Sequence, residues 1–477
     1  MSPKEVDQLE DKTTLKAMLK QLLEMTESLQ GTIKILQQTI ERKDDELAEL
    51  RRLLFGTKSE RMPPIQAELK KRRSVEQKKA DREKTKQKRK STREAKQELP
   101  VEVVSHTIDE TELHCPHCDS TDFVDMPDEV SSEYEFVPAR LVRREHHRQK
   151  KACRCGQHIV TAPAPARVSE GVQYGPGFHA HVVVSKCSDS MPLNRQARAL
   201  SRAGVKIGRS SLGDLFHRAA ELLEPLHKRT LEIIKASKYV RADETPQPVL
   251  DKDKTHRGYM WNFNTDELVA YVFSHGRSGE TASKVLGESD GFLQADAYSG
   301  YNRVTSPKGR TRVGCWGHAR RRFFQAKDLA PEESKHVLDE ILKLYEVEYL
   351  AAEENVLGTD KHLAMRKAKS KKIIDKLKKW LDEQKSLFTP KSRMGQAIGY
   401  VLNQWKPLTR FLEDPNLPLD NNMSERLLRI IALGRNNFMF VGNNGAGHNL
   451  AVLQGLVATC QLNGVDPQAY LTLSLIH

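Results

Sequence analysis

Residues 237–246 read Ser237-Lys-Tyr-Val-Arg-Ala-Asp-Glu-Thr-Pro246, and the runs Gly258-Tyr-Met-Trp-Asn-Phe263 and Leu268-Val-Ala-Tyr-Val-Phe-Ser274 follow. Short β-branched and aromatic runs bounded by turn formers predict strands at 239–242, 258–263 and 268–274. A helix fits 278–286, and two more apolar runs predict strands at 292–295 and 312–315. Three consecutive strands able to pair as a meander, then a helix leading to further strands, imply a mixed sheet within an α+β domain.

Two acids follow apolar strands in this order: Asp243 in Arg241-Ala-Asp-Glu-Thr-Pro246, and Asp296 in Leu293-Gln-Ala-Asp-Ala-Tyr298. Adjacent strand ends bring such carboxylates together, and two like charges a few ångströms apart are costly unless a cation neutralises them. Hard-oxygen coordination of Mg²⁺ is the natural use. Either aspartate alone reads equally as a turn former. A third carboxylate comes from Asp420-Asn-Asn-Met-Ser-Glu-Arg-Leu-Leu428, where Asp420 or Asn421 would cap a helix and Glu425 lies in its first turns. Leu427, Leu428 and Ile431 form an apolar side of that helix. The bland alternative pairs Glu425 with Arg429 on the helix surface. The strand order is that of a ribonuclease-H-like catalytic domain, in two parts (237–326 and 419–477) around an all-helical, Lys/Glu-rich insertion (327–418).

Outward from this core, residues 12–55 carry apolar side chains at ten of twelve seam positions of a heptad repeat, among them Leu19, Leu22, Leu29, Ile33, Leu36 and Ile40. A 3.5-residue period held this long predicts a coiled coil, with a helix packed on its own body as the alternative. A basic linker (56–100) follows. Within it residues 70–98 hold 14 Lys and Arg against five acids, and they read as a disordered or loosely helical segment suited to a polyanion or to simple solvation. In 101–160, Cys115-Pro-His-Cys118 and Cys153-Arg-Cys155 supply four thiols in two close pairs, the arrangement of a structural zinc site. A metal-free remnant and redox chemistry are the alternatives, and His114, His117 or His158 can replace a cysteine. Residues 167–235 have helical periodicity broken at Pro192 and Gly204–Gly208. They predict a helical DNA-binding unit in which Ser210-Ser211 caps a helix, and Arg195, Arg198, Arg202 and Arg209 contact phosphates. A helical hairpin with a solvated basic face fits the same pattern.

The 477 residues imply several folding units, and the net charge of +13 favours an acidic partner. Seven cysteines are too few for a secreted disulfide scaffold, no apolar window is long enough for a bilayer, and charges run through the first 23 residues. These features predict a soluble, cytoplasmic chain with no membrane partner.

The ordered motifs resemble those of DDE transposases of the insertion sequence 66 family across nearly the whole chain. They are Leu53-Leu-Phe-Gly-Thr-Lys-Ser-Glu-Arg61, the Cys-Pro-His-Cys element, Val184-Ser-Lys with Met191-Pro-Leu-Asn-Arg-Gln196, and Arg241-Ala-Asp-Glu-Thr-Pro246. They continue with Leu293-Gln-Ala-Asp-Ala-Tyr298, Gly314-Cys-Trp-Gly-His-Ala-Arg-Arg321, Asp420-Asn-Asn422 with Glu425-Arg426, and Leu462-Asn-Gly-Val-Asp-Pro-Gln-Ala-Tyr-Leu471. The second cysteine pair is one residue shorter than the family's, and the C-terminal residues 471–477 depart from its usual charged helix.

The resemblance implies a transposase that binds the ends of an insertion sequence and cleaves and joins DNA strands. Asp243, Asp296 and Glu425 would be its catalytic triad, holding two Mg²⁺ ions or Mn²⁺ in their place. Cys315 and His318 match the family's Cys-x-x-His element, in a supporting role. Cys115, Cys118, Cys153 and Cys155 would hold Zn²⁺, while Arg320 and Arg321, with Arg322, would touch DNA. Implied partners are element-end and target DNA, further copies of the chain, and accessory proteins encoded by the same element; the implied location is the bacterial nucleoid. A non-catalytic DNA-binding regulator, which needs none of the three acids, and a nuclease that cuts without joining are the competing readings.

Overall fold

A computed structural model describes residues 12–55, 62–73, 75–97, 142–152, 159–163, 165–168, 174–251, 254–305 and 309–476. The chain divides into two units, residues 64–144 and the remainder. In the first, α2 (Ile65–Arg72) and α3 (Val75–Gln97) are helices, and an Arg73–Asp81 ion pair joins the turn between them to α3. The basic run is therefore regular helix over most of its length.

The second unit begins with α1 (Lys12–Phe55), 44 residues of continuous helix. Leu19, Leu22, Leu29, Ile33, Leu36 and Ile40 are each more than half exposed, so among the described residues nothing covers this part of the seam. A small hairpin, β1 (Lys150–Ala152) and β2 (Ile159–Thr161), brackets the second cysteine pair. All four proposed zinc-binding cysteines lie outside the described residues.

Three helices follow: α4 (Pro176–Cys187), α5 (Leu193–Arg202) and α6 (Arg209–Ala236). Gly208, not a serine, occupies the N-cap of α6, and no side chain caps it. Rather than standing apart, these helices share a core with the sheet: Val183, Leu212, Phe216 and Leu223 pack with Met260, Tyr271 and Leu453.

The sheet contains β3 (Tyr239–Asp251), β4 (Lys254–Asn264), β5 (Val269–Ser274), β6 (Phe292–Gln294) and β7 (Thr311–Val313), with α7 (Glu280–Leu286) before β6. The spatial order is β5-β4-β3-β6-β7: the first three strands form an antiparallel meander, and β6 and β7 run parallel to β3. One correction concerns β3, expected to end at 242; it continues to Asp251 as one arm of a long hairpin with β4. Pro246 and Pro248 lack an N–H to offer a neighbouring strand. Along this arm, however, β6 pairs only with residues 239–241, so no strand beside it asks these positions for a donor. Leu250 shows the direction in which the even-numbered nitrogens point, since its N–H reaches Val441 O at 2.9 Å.

Alternation along the strands sorts the two faces. Val240, Ala242, Trp261, Phe263, Ala270 and Leu293 form one apolar core with Ala282 and Leu286 of α7. The opposite face carries residues 241, 243, 260, 262, 264 and 271, covered by α14 (Asn422–Phe438) and α15 (Asn444–Leu462). A Cβ at Gly447 would come within 2.8 Å of the Phe273 ring, so glycine lets α15 lie close to β5.

Between β7 and α14 the chain is helical: α8 (Trp316–Ala326), α9 (Pro331–Glu353), α10 (Asp360–Met365), α11 (Lys371–Gln384), α12 (Arg393–Asn403) and α13 (Trp405–Thr409). Their core includes Val313 and Trp316, which ties these helices to the β7 edge of the sheet. Arg366 is buried beside these helices, doubly paired with Glu348 at 2.8 and 2.6 Å and donating to Phe411 O and Asp414 O. The chain closes with α16 (Pro467–Ser474), capped by the Asp466 side chain. Among the described residues, no helix is long and apolar enough to cross a membrane.

Candidate active site

Arg241 pairs with Gln294 across the parallel strands β3 and β6. Asp243 and Asp296 each lie two residues further along, so the two-residue period directs both to the face covered by α14. Asp243 is therefore not at the end of its strand but at the point where the β6 partner ends. Its Oδ1 accepts from Glu244 N at 2.9 Å, and Asp296 Oδ1 accepts from Tyr298 N at 2.9 Å in a local turn.

Burial above all, with the charges of Glu244, Asp296 and Glu425, pushes the Asp243 carboxyl up to about 8. At neutral pH this group retains its proton until positive charge comes near. The charges of Asp296 and Glu425 both reach Asp243, so the three acids share one region of the fold.

Glu425 is carried by α14, whose start is fixed over β3 by polar contacts. Asn421 is fully buried; its Nδ2 donates to Ala242 O at 2.9 Å, one residue before Asp243, and its backbone N–H donates to Cys315 Sγ at 3.2 Å. Asn264 Nδ2 donates to Ser424 Oγ at 2.7 Å. Asp420 accepts from Asn422 N at 3.1 Å and from the Tyr345 hydroxyl at 2.7 Å, and burial raises its carboxyl. Asn421 occupies the N-cap position, but its side chain spans to the sheet instead of capping the helix. Leu427, Leu428 and Ile431 provide the buried side that holds α14 down.

The partner of Glu425 is Arg321 of α8, not Arg429. Arg321 Nη2 donates to both carboxylate oxygens at 3.1 and 3.0 Å, and His318 Nε2 lies 3.7 Å from Oε1. Burial lowers the His318 imidazole, and Glu425 opposes that effect. Cys315 is buried, with its thiol pushed up to about 12, chiefly by burial. Its observed role is to accept the Asn421 N–H.

Among the described residues, no group of three or more His, Cys, Asp and Glu side chains stands at metal-holding spacing. The donor set nevertheless suits a hard divalent cation: Asp243 on β3 and Asp296 just beyond β6 each lie two residues past the Arg241–Gln294 pair, and burial, with the neighbouring acids, favours a proton on Asp243. Glu425 would have to exchange Arg321 for such an ion.

Arg195, Arg198 and Arg202 on α5 and Arg209 at the start of α6 are exposed. Arg320 is a correction: expected at a DNA surface, it is only 2% exposed and donates to Pro63 O at 3.0 Å. On α8 the position of Arg320 turns inward with Phe323, while Arg321 and Arg322 remain outside.

Sequence reasoning missed Glu244, which points to the opposite face from Asp243. Its side chain is only 1% exposed, paired with Arg277 at 2.6 Å and accepting from the Tyr301 hydroxyl at 2.6 Å. Arg277 also lies over the Tyr298 ring, 4.2 Å from its centroid. An acid one residue from Asp243 in an alternating strand was the available signal.

Among known proteins, the transposase IS66 family matches residues 171–449, and the zinc-finger binding domain of transposase IS66 matches residues 112–156. Three curated relatives come from Sinorhizobium fredii (strain NBRC 101917 / NGR234). The uncharacterized protein y4jD is 33% identical over 360 residues, which are 72% of this chain and 70% of that one. Uncharacterized proteins y4hP and y4qI are 29% and 30% identical over 380 and 378 residues, in each case 75% of this chain and 69% of the relative.

Proposed function

This chain belongs to the transposase IS66 family, and on that premise we propose that it binds the ends of an insertion sequence and carries out metal-dependent strand cleavage and strand transfer on DNA. The observation that carries the proposal is that Asp243 and Asp296 each follow by two residues the Arg241–Gln294 pair of the parallel strands β3 and β6, while Asn421 ties the start of the helix bearing Glu425 to β3. The strand order, a three-strand meander followed by two parallel strands, supports a ribonuclease-H-like reading of the domain.

In this reading Asp243, Asp296 and Glu425 hold Mg²⁺ or Mn²⁺, which when bound would activate water or a 3′-hydroxyl and neutralise the leaving oxygen. The chain's own residues prepare that site. Asp243 keeps a proton while no cation is near, which limits the repulsion among the acids. Asn421 and Ser424 hold the start of α14 in register with β3, so Glu425 keeps a fixed relation to Asp243. Arg321 occupies Glu425 and, being partly exposed, can turn to a DNA phosphate when the carboxylate is engaged elsewhere.

Arg195, Arg198 and Arg209 supply phosphate contacts away from the acids, and the basic helix α3 adds charge. The zinc-finger domain holds one structural Zn²⁺ through Cys115, Cys118, Cys153 and Cys155, and α1 pairs with further copies of the chain as a coiled coil. Accessory proteins of the same element and a nucleoid location accompany this reading.

The deciding experiment is Glu425→Gln, which keeps the shape and removes the charge. It should abolish cleavage and joining in Mg²⁺ while leaving end binding largely intact. Wild-type-like cleavage by this variant would falsify the triad, and products joined to a supercoiled target separate a transposase from a nuclease.

A further inference from the structure

A cleft of about 270 Å³ opens between α8 and α12, lined by Arg322 and Gln325 from the first helix and by Arg393, Gln396 and Ala397 from the second. Among the described residues its lining contains two guanidinium groups and two carboxamides and no acid. The spacing explains the composition: residues 322 and 325, and residues 393 and 396, are each three apart, so each pair shares one helix face. Arg393 Nη1 reaches across the cleft to Gln325 O at 3.5 Å. Ser392 caps α12 by accepting from Gly395 N at 3.0 Å, so the positive end of this eleven-residue helix also borders the cleft.

The cleft adjoins the candidate site through α8, on which Arg321, the residue before Arg322, holds Glu425. The Arg322 guanidinium lies over Tyr400, 4.3 Å from the ring centroid. Burial foremost, then the charges of Cys315 and Asp296, pushes the Tyr400 phenol up.

We propose that this cleft is a subsite for a backbone phosphate of the DNA strand whose neighbouring phosphate reacts at the acids, gripped from opposite walls by Arg322 and Arg393. Guanidinium forks match the geometry of phosphate oxygens, and two of them exceed what a lone carboxylate would need. The cleft is open to solvent, so a continuous strand can enter and leave it. Arg393 comes from the helical insertion, which thereby contributes half of the grip on the substrate. The subsite rests on the phosphoryl-transfer reading of Asp243, Asp296 and Glu425.

The test uses the full chain and a fluorescent duplex of about 30 base pairs, with anisotropy read from about 50 to 300 mM salt. Each lost phosphate contact lowers the slope of log affinity against log salt by about 0.9, so the double variant Arg322→Gln, Arg393→Gln should lose nearly 2. The corresponding pair of lysine substitutions should keep the slope. An unchanged slope in the folded double variant overturns the subsite, even where Glu425→Gln still abolishes cleavage. Failure of the unmodified chain to bind the duplex defeats the transposase reading and the subsite together. If the double variant does not fold, the single variants decide, with a slope loss of about 0.9 expected for each.

Discussion

One nitrogen of Arg321 holds both carboxylate oxygens of Glu425, at 3.1 and 3.0 Å, linking α8 to the first turn of α14. Arg321 is 45% exposed and Glu425 28%, so the pair contributes no more than about 1 kcal/mol. That energy is what a cation must overcome to recruit Glu425. Arg321→Gln should therefore lower the Mg²⁺ concentration for half-maximal thermal stabilisation by up to about fivefold. A midpoint that stays put or rises would show that Arg321 does not compete for this acid.

The proton on Asp243 makes stability depend on pH in the absence of divalent ions. Its pKa is raised in the folded state, from an ordinary 3.8 to about 8, so the folded chain binds the extra proton between those values. Stability contributed by this group is present at the acid end of that window and is lost as pH rises through about 8. Asp243→Asn should flatten this dependence and melt above the unmodified protein at pH 8 in EDTA, by the equivalent of about 1 to 3 kcal/mol after allowance for screening. Equal melting temperatures at pH 8 would rule the effect out.

Asn421 joins α14 to β3 by donating to Ala242 O from a fully buried position. Asn421→Ala leaves that carbonyl without this donor and should cost about 1 to 3 kcal/mol, read as a lower urea midpoint. Strand cleavage should fall by more than the unfolded fraction accounts for, because Glu425 loses its register with Asp243. A stable variant with full cleavage activity would mean that the apolar side of α14 is enough to seat it.

The exposed seam of α1 bears on self-association. Aspartates at Ile33 and Leu36 put charges into a paired seam at positions that are more than half exposed among the described residues. Light scattering should report a smaller assembly with an unchanged melting temperature. An assembly of unchanged mass would remove α1 as the pairing element.

Much of the local structure was legible in the residues. The heptad spacing of 12–55 corresponds to one continuous helix, and the apolar side of α14 is the side that packs. The five strands lie near the expected positions, because alternating apolar runs report burial on a face directly. The length of β3 was not legible. Pro246 and Pro248 interrupt a strand only where a neighbour needs their N–H, and the presence of a neighbour is not a property of the prolines. The burial of Arg320 beside the exposed Arg321 and Arg322 likewise depends on which side of α8 meets the body.

By itself, the sequence determined that Asp243 and Asp296 each follow an apolar strand and that Glu425 sits in an amphipathic helix, since periodicity is carried by neighbouring residues. Only the tertiary structure decided that Arg241 faces Gln294, which puts both aspartates at one level, and that Asn421 spans to Ala242, which brings the helix over them. It also decided that Arg321, 104 residues before Glu425, is the cation that holds it in place of Arg429 four residues away. Register between strands and pairing between distant charges arise from contacts across space, where the packed core fixes the distance and sequence separation places no limit.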